Sequence, residues 1–406
     1  MNNSIIQLKK LFKEQLMYGT NELIDSIKLI LYKKYPTIFE ELDFDNDEIY
    51  LEPLLFAGLN SKLQIDVNNL LLGYKNKTIV ISEIELKTDE NGLLYLPNIG
   101  YFHTSVSNEL VQFSCQDKYF IKSKNDVIDF KLEELIKIHD LFEVVTQPIE
   151  LLNEYFFDEF GTDVPVEIIE ITKKQLSNLS LAIDIIQKYA PNWYVLLKST
   201  VRKMVIFNDP SKKRNSFATQ SVHGCVFFNA FQENYNEVFF IEDIAHQCGH
   251  VIFNAYLAST PDIFRIDKNT DIYMNGERNS YNEPRALYVM IHAMYTYESI
   301  FTCFNDCLEN EVFSHHKLHE LCGRLTFTLM KFERDYELLS KTNEKDENEY
   351  FTDLGMDLIN QFKESYKKCI TNWGKNLVMF NLNNQPYNFS YSKFLELNPL
   401  PKYEFQ

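Results

Sequence analysis

Two histidines four residues apart are the first place where side chains of this chain can act together. They lie in Ile241–Glu242–Asp243–Ile244–Ala245–His246–Gln247–Cys248–Gly249–His250–Val251–Ile252–Phe253. On a helix, a four-residue step is about 400° of turn, so both imidazoles leave one face. Two imidazoles so spaced can bind one metal ion, as in the H-E-x-x-H helix of zinc proteases. Position 247 is Gln, where such a protease has the Glu that takes a proton from metal-bound water. Gln has no such basicity. Gln247 therefore points away from protease-type hydrolysis and towards a metal whose chemistry needs no protein base here. Ferrous iron with an organic cosubstrate and oxygen is one such case.

A third ligand is expected from the next helix, which begins at Asn282–Glu283–Pro284–Arg285. Asn282 suits the N-cap and Pro284 the first turn. Arg285, Tyr288, His292 and Tyr295 then fall on one stripe, with Leu287, Met290, Ile291 and Met294 on the other side as core. His292 is the favoured third ligand. Glu283 is the alternative, because two His and one carboxylate also hold non-haem iron. It is nine residues from His292, however, and leaves the opposite side of the helix. Arg285 is two turns from His292, roughly 10 Å along the axis, and a guanidinium suits bidentate carboxylate binding. Tyr288 is expected to line the pocket and Tyr295 to pack. Arg324 and Arg334 are alternative carboxylate anchors. His223 is either a further site residue or part of a turn. His315, His316 and His319, with Cys322 nearby, read as a surface group because adjacent residues leave a helix on different faces.

The elements that must position these residues are mostly helices. Ile5, Ile6, Leu8, Leu11, Phe12 and Leu16 recur at helix spacing, and a second such stretch covers 22–34, with Gly19 as a break between them. From about 49 to 123, short strand-like runs (49–55, 78–85, 120–122) alternate with Gly/Asn/Asp clusters. Helices are then expected over 130–146, 149–157, 172–188 and 192–200, followed by strands at 203–208 and 224–229. Long helices follow near 236–258, 284–307 and 312–340, and another over 347–373. The fold class is therefore α+β and mainly helical: a helical metal-binding core with a short β-sheet, preceded by a mixed α/β N-terminal region. The expected division is 1–125 as a mixed region suited to peptide recognition, 126–376 as the metal-binding catalytic domain, and 377–406 as an irregular tail. The strand 224–229 is either an exposed edge, to which an extended peptide can add by main-chain hydrogen bonds, or an interior strand.

Composition narrows the partners. The chain has 406 residues, enough for two or three domains, and 45% of them are hydrophobic. A formal net charge of -18 repels phosphate, so nucleic acid is not an expected partner. An odd count of seven Cys argues against a disulfide framework and for a reducing compartment. Charges interrupt every apolar run of the N-terminus, so neither a signal peptide nor a membrane span is expected, and the expected location is the cytoplasm.

Three segments together resemble the HExxH-type peptide modification proteins, a family of 2-oxoglutarate-dependent peptide β-hydroxylases. The first is Arg214–Asn215–Ser216–Phe217–Ala218–Thr219 continuing to Gly224–Cys225–Val226–Phe227–Phe228–Asn229, similar to a Ser-Phe-rich loop leading into a hydrophobic strand that ends in Asn. The second is His246 to His250. The third, Arg285–Ala286–Leu287 to His292–Ala293–Met294–Tyr295, is similar to the family's Arg-Pro-Leu…Leu-His-Gly-Val-Tyr block. The likeness covers 202–336, and it departs from the family at Gln247 and at Ala286. It implies Fe(II) on His246, His250 and His292, with zinc as a substitute metal. It also implies 2-oxoglutarate and O2 as cosubstrates and a precursor peptide as substrate. The activity implied is a dioxygenase that hydroxylates a side-chain carbon during maturation of ribosomally made peptides. Arg285 is the anchor inferred for a 2-oxoglutarate carboxylate. The rival readings are a non-catalytic peptide-binding protein with a degenerate metal site, and a zinc-dependent peptide hydrolase with its base moved to Glu242 or Glu283.

Overall fold

The computed structural model describes residues 2–62, 66–75, 81–116, 118–232, 235–271, 286–341 and 350–400. In chain order it has α1 (Asn2–Lys34), α2 (Asp47–Tyr50), α3 (Pro53–Asn60) and α4 (Val67–Leu70). Nine strands follow: β1 (Ile81–Lys87), β2 (Leu93–Leu96), β3 (Gly100–Thr104), β4 (Leu110–Cys115), β5 (Tyr119–Ser123), β6 (Asp126–Val127), β7 (Phe130–Glu134), β8 (Ile136–Ile138) and β9 (Phe142–Val145). Then come α5 (Glu150–Asn153), α6 (Ile169–Tyr189), α7 (Pro191–Thr200), β10 (Lys203–Phe207), β11 (Phe217–Ala218) and β12 (Cys225–Asn229). The chain ends with α8 (Glu237–Ala258), α9 (Leu287–Glu309), α10 (His315–Lys341), α11 (Asp353–Leu377) and α12 (Tyr391–Leu397). Among the described residues helix outweighs strand by 54% to 17%, so the protein is a mainly helical α+β chain. Among the described residues, no helix is long and apolar enough to cross a membrane.

The chain divides into two compact units. The first comprises 1–20, 177–199 and 234–406, and the second 21–176 and 200–233. The division expected near 125–129 is not where the units part, because residues 126–176 belong with 21–125.

Among the described residues, the second unit holds three sheets. The five-stranded one runs β11-β12-β10-β9-β8, with β12, β10 and β9 parallel to their neighbours in the centre. Those three strands are buried along their whole length, as central parallel strands must be. The strand at 224–229 is therefore interior, flanked by β10 and β11, and the exposed-edge docking site is overturned. The other sheets, β1-β4-β5-β6 and β2-β3-β7, are antiparallel and share a core in which Phe102 meets Phe113 edge to face. The expected helix at 130–146 is instead β7, β8 and β9. Phe130 and Leu132, then Ile136 and Ile138, alternate with period two. His139 and Asp140 both take φ of 54° to turn the chain, a conformation that closes hairpins. Residues 49–55 are helical rather than strand because Asn46 caps α2 and Glu52 caps α3, with Pro53 in its first turn.

Inside this unit lies an ion network. Lys203, 2% exposed, pairs with Glu143 and, at 3.3 Å, with Glu52. Tyr95 donates to Glu143 at 2.7 Å and Tyr74 to Glu52 at 2.6 Å. Two carboxylates against one ammonium are tolerated in the interior because hydroxyls supply the missing donors.

The first unit is built on α8 and α9. α8 is apolar nearly all round, so it is buried rather than lying on a surface. Asn236 caps it by accepting from the Val238 amide at 2.8 Å. Aromatic rings run through this core: Phe12 stacks on Tyr256 and Tyr295, and Phe253 stacks on the same two tyrosines. α1 is continuous through Gly19. That glycine is a crossing point instead of a break, because a Cβ there would lie 2.0 Å from the Ala255 carbonyl oxygen of α8. None of the seven cysteines is in a disulfide.

Candidate metal centre

His246 and His250 leave the same face of α8, with ring centroids 5.2 Å apart. His292 of α9 brings its ring to 5.8 Å from that of His250. Two imidazoles on one tetrahedral ion have centroids about 5 Å apart, so the α8 pair has that spacing and the third ring stands slightly wide. Among the described residues, no three His, Cys, Asp or Glu side chains are placed to hold one ion as they stand. What fits is the donor set and its charge.

The α8–α9 approach that makes this possible rests on small residues. A Cβ at Gly249 would meet Ser299 Oγ at 3.3 Å and Thr296 at 3.4 Å. Glycine at 249 therefore lets the two backbones come close one residue before His250. His292 is 6% exposed and its Nε2 is buried with no hydrogen-bond partner. Buried imidazole nitrogens normally have one, and a metal ion would supply it. Phe253 meets the His292 ring edge to face at 4.8 Å, and Tyr288 packs on it at 4.4 Å.

The pKa values of all three imidazoles are lowered, which favours their uncharged form. Burial drives the His250 pKa down to about 4 and the His292 pKa down to about 3, the latter helped by His250. His246 lies well below its usual value through burial, then through His250 and the Lys331 charge. Neutral imidazole is the form that ligates metal.

Gln247 donates to Asp243 Oδ1 at 3.3 Å within α8, and both side chains are buried. Glu242, one alternative base, is taken by Arg324. Arg324 also donates to Glu320 at 2.9 Å and is buried in that double pairing, so it is not an open carboxylate anchor. Arg334 is half exposed beside Asp335. Tyr288 sends its hydroxyl to Asn254 at 3.2 Å, which leaves its ring as the surface turned to His292. Tyr295 is in the aromatic stack, as expected of a packing residue. Of the sequence expectations, Asn282, Glu283, Pro284 and Arg285 lie outside the described residues, and α9 is described only from Leu287.

His223 is in the other unit. It is buried against Phe56 with Nε2 unpartnered, and burial and Arg202 lower its pKa to about 4. His319 is buried and bonds Tyr391 at 3.2 Å, while His315 and His316 are exposed. Sequence reasoning missed Lys331, whose charge bears on His246; no motif marks it. The chain matches no protein-family model and no curated protein.

Proposed function

We propose that this protein is a non-haem Fe(II)/2-oxoglutarate-dependent oxygenase that hydroxylates a side-chain carbon of a ribosomally made peptide, acting in the cytoplasm. The observation that carries the reading is the gathering of three uncharged imidazoles, His246, His250 and His292, one of which has a buried nitrogen without a partner. These residues would hold the metal, with zinc as a substitute. Iron with 2-oxoglutarate and O2, when bound, supplies oxidising power towards an unactivated carbon. The chain's own part is to orient and to exclude water. Phe253 and Tyr288 fix the His292 ring, and the aromatic stack beneath it keeps the site dry. Arg285 is the anchor we assign to a cosubstrate carboxylate on chemical grounds.

The pairing of Glu242 with Arg324 weighs against a zinc hydrolase that uses Glu242 as its base; Glu283, the other candidate base, lies outside the described residues. The wider separation of the third ring favours, as the second reading, a non-catalytic peptide-binding protein with a degenerate site. An anaerobic titration of Fe(II)-loaded protein with 2-oxoglutarate separates the two. A saturating visible charge-transfer band, lost in His246→Ala and weakened in Arg285→Ala, is expected of the oxygenase. Retained iron without a band would discard the oxygenase reading.

A further inference from the structure

The loop that leaves β10 in the second unit carries three consecutive cations, Lys212, Lys213 and Arg214. It is fastened from within. Asp209 is fully buried, and its carboxylate accepts from the amides of Ser211, Lys213 and Arg214 at 2.8, 2.6 and 2.7 Å. Asn229, the last residue of β12, accepts from the Asp209 amide at 3.3 Å and donates to the Arg214 carbonyl at 2.6 Å. The acid of the loop is thus committed to its backbone, and the loop is fixed in shape.

Within that loop Arg214 stands apart. Its guanidinium lies over the rings of Phe217 and Phe157, at 3.8 and 4.8 Å from their centroids. Its Nε is buried without a hydrogen-bond partner. Burial lowers its pKa, and no carboxylate offsets the shift. Lys213 does have an acid beside it: Asp158 is held below its usual pKa by the Thr162 and Phe160 amides and then by Lys213. Among the described residues Arg214 has rings for neighbours and no acid. Rings cover the face of a guanidinium, whereas its N–H groups lie in the plane, in the fork that grips a carboxylate or phosphate by two bonds. The position is also that of a ligand site. Phe157 follows β9, and its neighbour Phe156 packs edge to face on Phe207, the last residue of β10. Phe217 opens β11 and stacks on Phe227 of β12 at 4.3 Å. Arg214 therefore sits at the carboxyl ends of the parallel strands β9, β10 and β12, where open α/β sheets place their ligands.

The surroundings favour a peptide over a free anion. Phe157 is partly exposed, and the turn that follows it carries Phe160 with 83% of its surface exposed. A small anion uses only the fork, whereas a peptide can also lay an apolar side chain on these rings. We infer that Arg214 binds an Asp or Glu carboxylate of an acidic peptide segment whose neighbouring apolar residue covers Phe157 and Phe160. The inference concerns the second unit alone and does not depend on the metal-dependent reading.

The test is fluorescence anisotropy with full-length protein and a fluorescein-labelled decapeptide of Gly and Ser that carries two Glu and two Leu, compared with the same peptide bearing Gln for Glu. Wild-type protein is expected to prefer the Glu peptide. Arg214→Gln should weaken the Glu peptide by about 10- to 100-fold, the loss of a bidentate charged contact, and leave the Gln peptide unchanged. Phe160→Ser, at an exposed site, should weaken both peptides. Should Arg214→Gln fail to fold by circular dichroism, Arg214→Lys keeps the charge and loses the fork, and a loss of more than about fivefold is expected from it. Equal binding of the two peptides by wild-type protein, or an unchanged preference in the folded Arg214 variant, would overturn the assignment. Saturable binding of inorganic phosphate that is lost in that variant, with neither peptide bound, would make this a free-anion site and overturn the peptide assignment as well.

Discussion

Restoring the carboxyl that a zinc protease carries, by Gln247→Glu, should damage this protein rather than make it a hydrolase. Gln247 is buried and donates to Asp243 Oδ1 at 3.3 Å. The substitution removes the donor and sets two carboxyls at that distance. At an effective dielectric constant of about 20, two like charges so placed repel by about 5 kcal/mol. The pair has an escape, because one carboxyl can stay protonated in the folded state. Holding a proton on a carboxyl of ordinary pKa at pH 7 costs about 4 kcal/mol, and the cheaper route sets the loss. The new carboxyl's pKa is raised in the folded state, so the folded protein binds the extra proton above pH 4.3 and stability falls as pH rises. The penalty should be near zero at about pH 4.5, about 4 kcal/mol at pH 7, and level beyond about pH 8, where repulsion becomes the cheaper route. Both tryptophans, Trp193 and Trp373, are in the unit that carries the metal centre. Urea unfolding followed by tryptophan fluorescence at pH 5, 7 and 8.5 therefore reads the right part of the chain. A variant as stable as wild type at pH 8.5, or one weakened equally at every pH, would refute the buried Asp243–Gln247 contact. A gain of peptide hydrolysis would restore the hydrolase reading.

The remaining expectations address packing, ligation and the second unit. His292→Ala should weaken Co(II) or Fe(II) binding by more than about 100-fold, and metal retained at wild-type affinity would remove His292 from the ligand set. Because the His250 and His292 pKa values are near 4 and 3, protons compete little at pH 5.5. Co(II) affinity should change less than about tenfold between pH 7.5 and 5.5, whereas three ordinary imidazoles would lose about tenfold each. Equilibrium dialysis at the two pH values decides between these. Gly249→Leu should force α8 and α9 apart and cost about 1–3 kcal/mol, with metal affinity falling alongside. Unchanged metal binding would mean the close approach at Gly249 does not position His292. Lys203→Met should leave Glu143 and Glu52 without their cation and cost about 3–5 kcal/mol. Hydrogen exchange should show faster opening of β9 and β10, and unchanged exchange there would contradict the network.

What the sequence revealed of this protein follows from where each signal resides. α8 was legible because its evidence is local: the Asn236 cap, the apolar run and the four-residue histidine spacing all lie within one element. His292 was found by its stripe, yet its meeting with His250 depends on Gly249 facing Thr296 and Ser299, and no sequence pattern announces which helix a glycine will touch. Gly19 misled for the same reason. Its lack of a side chain serves a crossing with α8 rather than a break in α1. A helical period is the wrong one for the 130–146 segment. Its strands are short, and the turn at His139–Asp140 uses no glycine, so the usual hairpin signal was missing. Over residues 49–55 the apolar run suggests a strand, but two caps, Asn46 and Glu52, set the local geometry.

The same contrast bears on the centre itself. A helix can place His246 beside His250 by its own geometry, but an uncharged, unpartnered imidazole at 292 is costly in a core of phenylalanine and tyrosine. A buried polar nitrogen left unsatisfied costs about 1–3 kcal/mol. The protein bears that cost where Phe253 and Tyr288 hold the ring and where Asn254 holds Tyr288. Ordinary core packing would be better served at this position by an apolar residue of the same size. A ligand that accepts the nitrogen lone pair removes the cost. The supports around His292 are therefore what the proposed metal site accounts for and core packing alone does not.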